Sequence, residues 1–244
     1  MKDSRTAGII IIGNEILSGK VQDINSFFLV SELRKLGVTV RQITVIPDET
    51  DIIGKETFAF SNSYEYVFTA GGVGPTHDDV TMKGIAEGFG VKLIRHDGIK
   101  EILLSRYKKE LNAALLKMTE IPEGAEVILH NNMRFPVVSF RNIFIFPGIP
   151  EYVKNKFSAI KEKFRSSTFY LRRIFLKVHE SDIADKLNRV VEENNDVMFG
   201  SYPIVGNDEY RVIVTAESKS EPLLEMAVKD FLNAMPEDLV VKVE

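Results

Sequence analysis

The first long apolar run is AGIIIIG, Ala7 to Gly13, rich in β-branched residues and bounded by turn signals. Such a run predicts a strand buried on both faces, as in a parallel sheet. In DINSFFLVSELRKLG, residues Phe27, Phe28, Val30 (or Ser31), Leu33 and Leu36 recur at helical spacing, with Asp23 or Asn25 as cap and Gly37 as stop. VTVRQITVI, Val38 to Ile46, predicts the next strand, ended by Pro47. DIIGKETFAFSNS predicts a second helix and YEYVFTA a third strand. After them comes GGVGPTHDDVT, then a helix from about Asp79 to Phe89. Strand and helix alternate, the signature of a parallel sheet with right-handed crossovers.

Beyond it, IKEILLSRYKKELNAALLKM predicts one long amphipathic helix with a basic outer face. AEVILH, PVVSF and NIFIFPG are expected as short strands, and IPEYVKNKFSAIKEKFR as a closing helix with proline near its start. From about Ser166 the pattern changes to strand, helix, strand, strand, helix, strand. That βαββαβ order is the split-βαβ, ferredoxin-like plait. The expected domains are 1–166, an α/β unit, and 167–244, a small α+β unit, with the boundary near residues 165–169.

Composition narrows the chemistry. A chain of 244 residues with 44% hydrophobic and 27% charged residues is that of a soluble globular protein. A formal net charge of −4 makes no global case for nucleic acid or membrane, and no apolar run is long enough to span a bilayer. Cysteine is absent, which excludes disulfides, thiolate nucleophiles and thiolate metal sites. Four scattered histidines, His77, His96, His130 and His179, make a histidine-rich zinc site improbable. A cytoplasmic enzyme or binding protein is the expectation.

In an open α/β sheet, ligands bind beyond the carboxyl ends of the strands. Three such ends carry polar groups here: Asn14 and Glu15 after IIG, Asp48 and Glu49 after VIP, and Asp78 and Asp79 after the glycine loop. Gly71, Gly72 and Gly74 free backbone N–H groups to face a phosphate, and a helix start adds partial positive charge. A hard cation such as Mg²⁺ takes one or two carboxylates plus phosphate oxygens. Asp48, Asp78 and Asp79 are therefore the candidate metal ligands, Asp48 and Asp79 sharing one ion from neighbouring strand ends. The competing reading is structural. Thr76-His77-Asp78-Asp79 fits a capping box, and Asp48 after Pro47 fits a turn. Pattern alone weighs the two about equally. The P-loop and the G-x-S-x-G elbow are both missing.

GGVGPTHDDVT, with upstream IIGNEILSG and VIPDE and downstream FPGIPE, resembles the MogA/MoaB-type molybdopterin-binding domains, CinA-like branch. The likeness to the N-terminal domain of eukaryotic FAD synthases extends through TAGIIIIGNEIL, QDINSFFL and RFPVVSFRNIFIFPGIPE, in the same order. The resemblance implies a three-layer α/β/α, MogA-like sheet followed by a small α/β domain. It implies catalytic aspartates at Asp48 and Asp79. The matching motifs supply Gly13, Pro75, Thr76, Thr81, Pro147 and Gly148 as further phosphate- or nucleotide-binding candidates. It further implies metal-dependent cleavage of a dinucleotide pyrophosphate, FAD to FMN plus AMP or ADP-ribose, with Mg²⁺, Mn²⁺ or Co²⁺. The alternatives are molybdopterin adenylylation and a non-catalytic nucleotide-binding module. MogA-like enzymes usually have Arg-Asp where this chain has Asp78-Asp79, a departure that weakens the molybdopterin alternative. The adenylyltransferase half of FAD synthases has no counterpart in the sequence.

Other features carry bland expectations. Lys154, Lys156, Lys161, Lys163, Arg165, Arg172 and Arg173 are expected on a solvated face. Tyr202 and Pro203 are expected at a strand end, with contact to a flavin or adenine ring as the less favoured reading. The G-x-x-G of Gly71–Gly74 lies outside the plait, which disfavours KH-like nucleic-acid binding. A homo-oligomer is expected by resemblance, with Phe27 and Phe28 among the surplus aromatics.

Overall fold

The computed structural model describes residues 5–108, 110–129 and 135–244. His130 and Arg134, which fall in two of the motifs above, lie outside them. The chain divides into a unit that ends at Ser166 and a unit Ser167–Glu244.

In the first unit, β1 (Thr6–Ile12) leads through α1 (Asn14–Leu17) and α2 (Asn25–Lys35) to β2 (Thr39–Ile46). Then come α3 (Thr50–Ser63), β3 (Tyr66–Ala70), α4 (Thr81–Gly88), β4 (Leu93–Arg95) and α5 (Asp97–Tyr107). The unit is completed by α6 (Ala113–Lys117), β5 (Glu120–Pro122), β6 (Glu126–Ile128), β7 (Val137–Phe140), β8 (Ile143–Phe146) and α7 (Pro150–Ile160). The main sheet has the order β2-β1-β3-β8-β7-β6, and its first four strands are parallel. β1 is buried along both faces, as its unbroken apolar run requires. Ile10 and Ile12 pack with Ile53 and Phe60 of α3 and Ile85 of α4. Ala7, Ile9 and Ile11 pack with Leu29 and Leu33 of α2 and Val153 and Phe157 of α7. Helices on both faces of a mostly parallel sheet make a three-layer α/β/α unit.

Four details differ from the sequence reading. α2 buries Asn25, Leu29 and Leu33, whereas Phe27 is 76% exposed, because it points about 200° around the helix from Asn25. The expected long helix is broken: Lys108 adopts a left-handed φ of 50° at the end of α5, and Asn112 caps α6 by accepting from the Leu115 N–H. The short antiparallel pairing of β4 with β5, which brackets α5 and α6, was not anticipated. α4 starts at Thr81, not Asp79, so Asp79 does not cap it.

The second unit runs β9 (Tyr170–Leu176), α8 (Glu180–Glu193), β10 (Met198–Pro203), β11 (Val212–Ser218), α9 (Glu221–Asn233) and β12 (Val240–Val243). Its antiparallel sheet has the order β10-β11-β9-β12, the plait predicted from the sequence. Val212, Val214 and Ala216 of β11 pack on Ile183 of α8 and Leu224 and Phe231 of α9. Tyr202 and Pro203 are the last residues of β10.

Candidate functional site

The order β2-β1-β3 puts successive crossovers on opposite sides of β1, so the first unit has a switch point at its carboxyl edge. Gly13 N–H bonds the Ile46 carbonyl, and Asn14 N–H donates to Asp48 Oδ2 at 2.8 Å. The loops after β1 and β2 are thereby tied together. β1 stands between the ends of β2 and β3, so Asp48 and Asp79 are not on neighbouring strand ends as expected.

After β3 the chain passes close to β1. Gly71 has φ of 120°, and a Cβ there would collide with the Ile12 carbonyl, so no other residue fits. Gly72 also has positive φ, and its carbonyl accepts from the Thr81 N–H. Thr81 is fully buried and spends its hydroxyl on the Gly71 carbonyl at 2.8 Å. It holds the loop against α4 rather than facing a ligand. Thr76 N–H donates to Asp79 Oδ2 at 2.7 Å. The single Thr76 hydroxyl proton faces two acceptors, Asp78 Oδ1 at 2.6 Å and Asp79 Oδ2 at 2.5 Å. Two carboxylates crowd around one proton. The turn Thr76–Asp79 is thus closed on itself, and the Lys117 ammonium braces it by donating to the Thr76 carbonyl.

A cavity of about 690 Å³ opens here, within the size range of small-molecule sites. Its lining includes Glu15, Asp48, Gly71, Gly72, Gly74, Pro75, Asp78, Asp79, Pro147 and Gly148. Apolar and aromatic side chains, Met82, Leu103, Tyr107, Met118, Phe135 and Tyr152, line it as well. Of the predicted residues, Gly13, Asn14, Thr76 and Thr81 do not line it; Asn14 borders an adjoining hollow with Glu15, Asp48 and Asp78.

Burial pushes the Asp48 carboxyl above its ordinary range; the Asn14 amide opposes this, and the charges of Glu15, Asp78 and Asp79 reinforce it. The Thr76 hydroxyl, then the backbone amide of Asp78 itself, hold the Asp78 carboxyl below its usual range. Among the described residues, no group of three His, Cys, Asp or Glu residues is arranged to hold a metal ion. The donor set still suits a hard cation, which takes one or two carboxylates and completes its shell with water and phosphate oxygens. Asp48 Oδ1 and Asp79 Oδ1 make no described hydrogen bond.

Sequence reasoning missed two lysines. Lys117 is described above. Lys156, expected on a solvated face, is only 8% exposed and lines the cavity, donating to the carbonyls of Phe135 (2.8 Å) and Pro136. Of the histidines, His96 accepts from Ile99 N–H at the start of α5, and His179 forms a capping box with Asp182 on α8. Among the described residues, no helix is long and apolar enough to cross a membrane.

Comparison with known proteins places this geometry. Residues 8–165 match the model of the "Probable molybdopterin binding domain", and residues 168–244 that of the "FAD synthase, middle domain". A protein of Archaeoglobus fulgidus is 35% identical, over 91% of this chain and 95% of that one. A "Probable FAD synthase" of Caenorhabditis elegans is 31% identical over 93% of this chain, which spans 49% of that protein's length. A solved structure of the protein CinA from Thermoplasma acidophilum, of unknown function, is 28% identical with a TM-score of 0.62, covering 66% of this chain and 98% of that one.

Proposed function

This chain belongs to the family of the probable molybdopterin binding domain, and from that premise we propose that its first unit hydrolyses the pyrophosphate of a dinucleotide such as FAD or ADP-ribose. The observation that carries this reading is one cavity whose lining combines a glycine loop and carboxylates with apolar and aromatic side chains. Gly71, Gly72 and Gly74 expose backbone beside Asp48, Asp78 and Asp79, and the same cavity is also lined by apolar and aromatic side chains such as Met82, Leu103, Tyr107 and Phe135. A nucleotide pyrophosphate has a polyanionic centre and flat rings, and it matches both.

In this reading Asp48 and Asp79 hold a divalent cation, Mg²⁺, Mn²⁺ or Co²⁺, through their unengaged oxygens, with Asp78 beside them. Such an ion, when bound, neutralises phosphate charge and polarises the phosphorus toward attack. The glycine loop fixes the phosphates, and Thr76 and Lys117 keep the loop in shape. Asn14 holds Asp48 in place through its backbone N–H. Water attacks one phosphorus in line, the bridging P–O bond breaks, and each product leaves with one phosphate. FAD would give FMN and AMP; ADP-ribose would give AMP and ribose 5-phosphate.

Membership of the molybdopterin-binding family favours a second reading, adenylylation of molybdopterin. One assay separates them: FAD, ADP-ribose, and ATP with molybdopterin, each with and without metal, with the products identified. AMP with FMN supports the hydrolase, and adenylylated pterin supports the second reading. Undiminished cleavage in excess chelator sinks the metal-dependent mechanism. Tight binding without turnover points to a regulatory module. Assembly into a homo-oligomer is the companion proposal, supported by the exposed Val21, Ile24 and Phe27; light scattering at micromolar concentration tests it.

A further inference from the structure

Lys156 has a job that the pyrophosphatase reading leaves unassigned. It sits on α7 and is the only lysine among the described residues that line the cavity. Its ammonium carries three protons, and two meet the carbonyls of Phe135 and Pro136. The Phe135 ring lies below it, its centroid 5.1 Å from Nζ. Among the described residues no carboxylate lies within ion-pair distance of Lys156. A charge in such a wall is costly without a counter-charge. Burial alone lowers its pKa to about 8, which leaves it mostly charged at neutral pH.

The register fixes where this ammonium stands. Val138 pairs with Ile145 and Ser139 with Phe144, so the antiparallel run carries Pro136 to a place beside Pro147. Gly148, next to Pro147, faces Gly71 across the edge: a Cβ on Gly148 would lie 3.5 Å from the Gly71 Cα. The carbonyls that hold Lys156 therefore belong to the same sheet edge as the glycine loop. Among the described residues, the cavity sets Glu15, Asp48, Asp78 and Asp79 against two cations, Arg106 and Lys156. Arg106 is exposed; Lys156 is buried and fixed.

We propose that Lys156 binds the second phosphate of the dinucleotide, donating its third ammonium proton to an oxygen of the phosphate farther from Gly71–Gly74. The assignment rests on the nucleotide reading above and extends it. It gives the site a way to prefer a pyrophosphate over a monophosphate. Asp48 and Asp79, with the ion they would hold, would take one phosphate, and the fixed ammonium of Lys156 the other.

The test uses a methylene-bridged ADP-ribose analogue, which cannot be cleaved, and AMP, both titrated calorimetrically in Mg²⁺. Lys156→Met keeps the apolar stem and removes the charge. Its affinity for the analogue should fall roughly tenfold or more, as expected on losing a charge-assisted hydrogen bond. Its affinity for AMP should stay within about twofold. Equal affinity for the analogue in both chains, or equal losses for both ligands, overturns the assignment while the nucleotide reading stands. Failure of the unaltered chain to bind either ligand overturns both. If Lys156→Met does not fold, the ammonium signal of Lys156 is followed by NMR in the unaltered chain and assigned by its disappearance in Lys156→Arg. A shift with the analogue and none with AMP supports the assignment; no shift with the analogue refutes it.

Discussion

The two units treat their carboxylates differently. In the plait, Arg172 is flanked by Glu221 and Glu225, Lys242 pairs with Glu244 at 2.6 Å, and Asp182 closes the cap of α8. Those acids are partnered within their own unit. At the carboxyl edge of the first unit, the charges of Glu15, Asp78 and Asp79 bear on Asp48, and Asp78 and Asp79 compete for one hydroxyl proton. The acids of the plait meet cations or a helix cap. Those of the edge meet amides and a hydroxyl and lie close to one another, with no cation paired to Asp48 or Asp79 among the described residues. In the proposed reading this cluster is where the cation and its nucleotide would bind. The largest effect that could break the contrast is on turnover. Asp48→Asn should cost roughly a hundredfold or more in cleavage of FAD or ADP-ribose, whereas Glu225→Gln should leave it unchanged. The double variant Asp48→Asn, Asp79→Asn should lose little beyond the worse single one, because both would hold one ion. Full activity in Asp48→Asn would end the assignment.

The plait should fail in a different way. Phe231 is fully buried between α9 and the sheet. Phe231→Ala should cost about 3–5 kcal/mol through lost burial and a residual cavity. Chemical denaturation would show this as an early transition. A loss under about 1 kcal/mol would mean that this core is far looser than its packing indicates.

The same contrast explains what the sequence disclosed. Strand and helix alternation was legible because β1 is buried on both faces and must read as an unbroken apolar run. The plait was legible because β11 alternates buried and half-buried positions. The glycine–aspartate loop stood out because residue types so opposed rarely share one turn. Less was legible where the outcome depends on contacts far along the chain. A lysine in an amphipathic helix reads as solvated, and only the carbonyls of Phe135 and Pro136 reveal that Lys156 is buried. The break between α5 and α6 hangs on one left-handed lysine, Lys108, a conformation no pattern announces. Three-residue strands such as β4 and β5 are too short to carry a period.

Asp79 sharpens the comparison further, because it closes a turn and is also a proposed ligand. Asp79→Asn keeps an acceptor for the Thr76 N–H, so the stability cost should be about 1 kcal/mol or less. Turnover should nonetheless collapse. A variant that melts like the parent chain and cleaves like it would leave Asp79 as a turn residue only, and the ion would then be sought at Asp78 and Glu15.

The smallest effect is the most direct measure of the crowding. Asp48 has its folded pKa raised above 3.8, chiefly by burial and then by Glu15, Asp78 and Asp79. A carboxyl raised in this way binds its proton more tightly in the folded chain than in the unfolded one. Its charge therefore opposes folding: stability is lost as pH rises from 3.8 through the folded pKa, and the deficit persists above that. Asparagine has no charge to lose and still offers an oxygen to the Asn14 N–H. In chelator at pH 7, Asp48→Asn should be more stable than the parent chain by a few tenths of a kcal/mol, the shift being screened at a half-buried site. The gap should narrow as pH is lowered through the folded pKa of Asp48 toward 3.8, as the carboxyl of the folded chain takes up its proton. Paired melts across that range decide the matter. A variant less stable at pH 7, or a gap that widens in acid, would show that the Asp48 carboxylate is stabilised where it stands and that the edge is not crowded with unmatched charge.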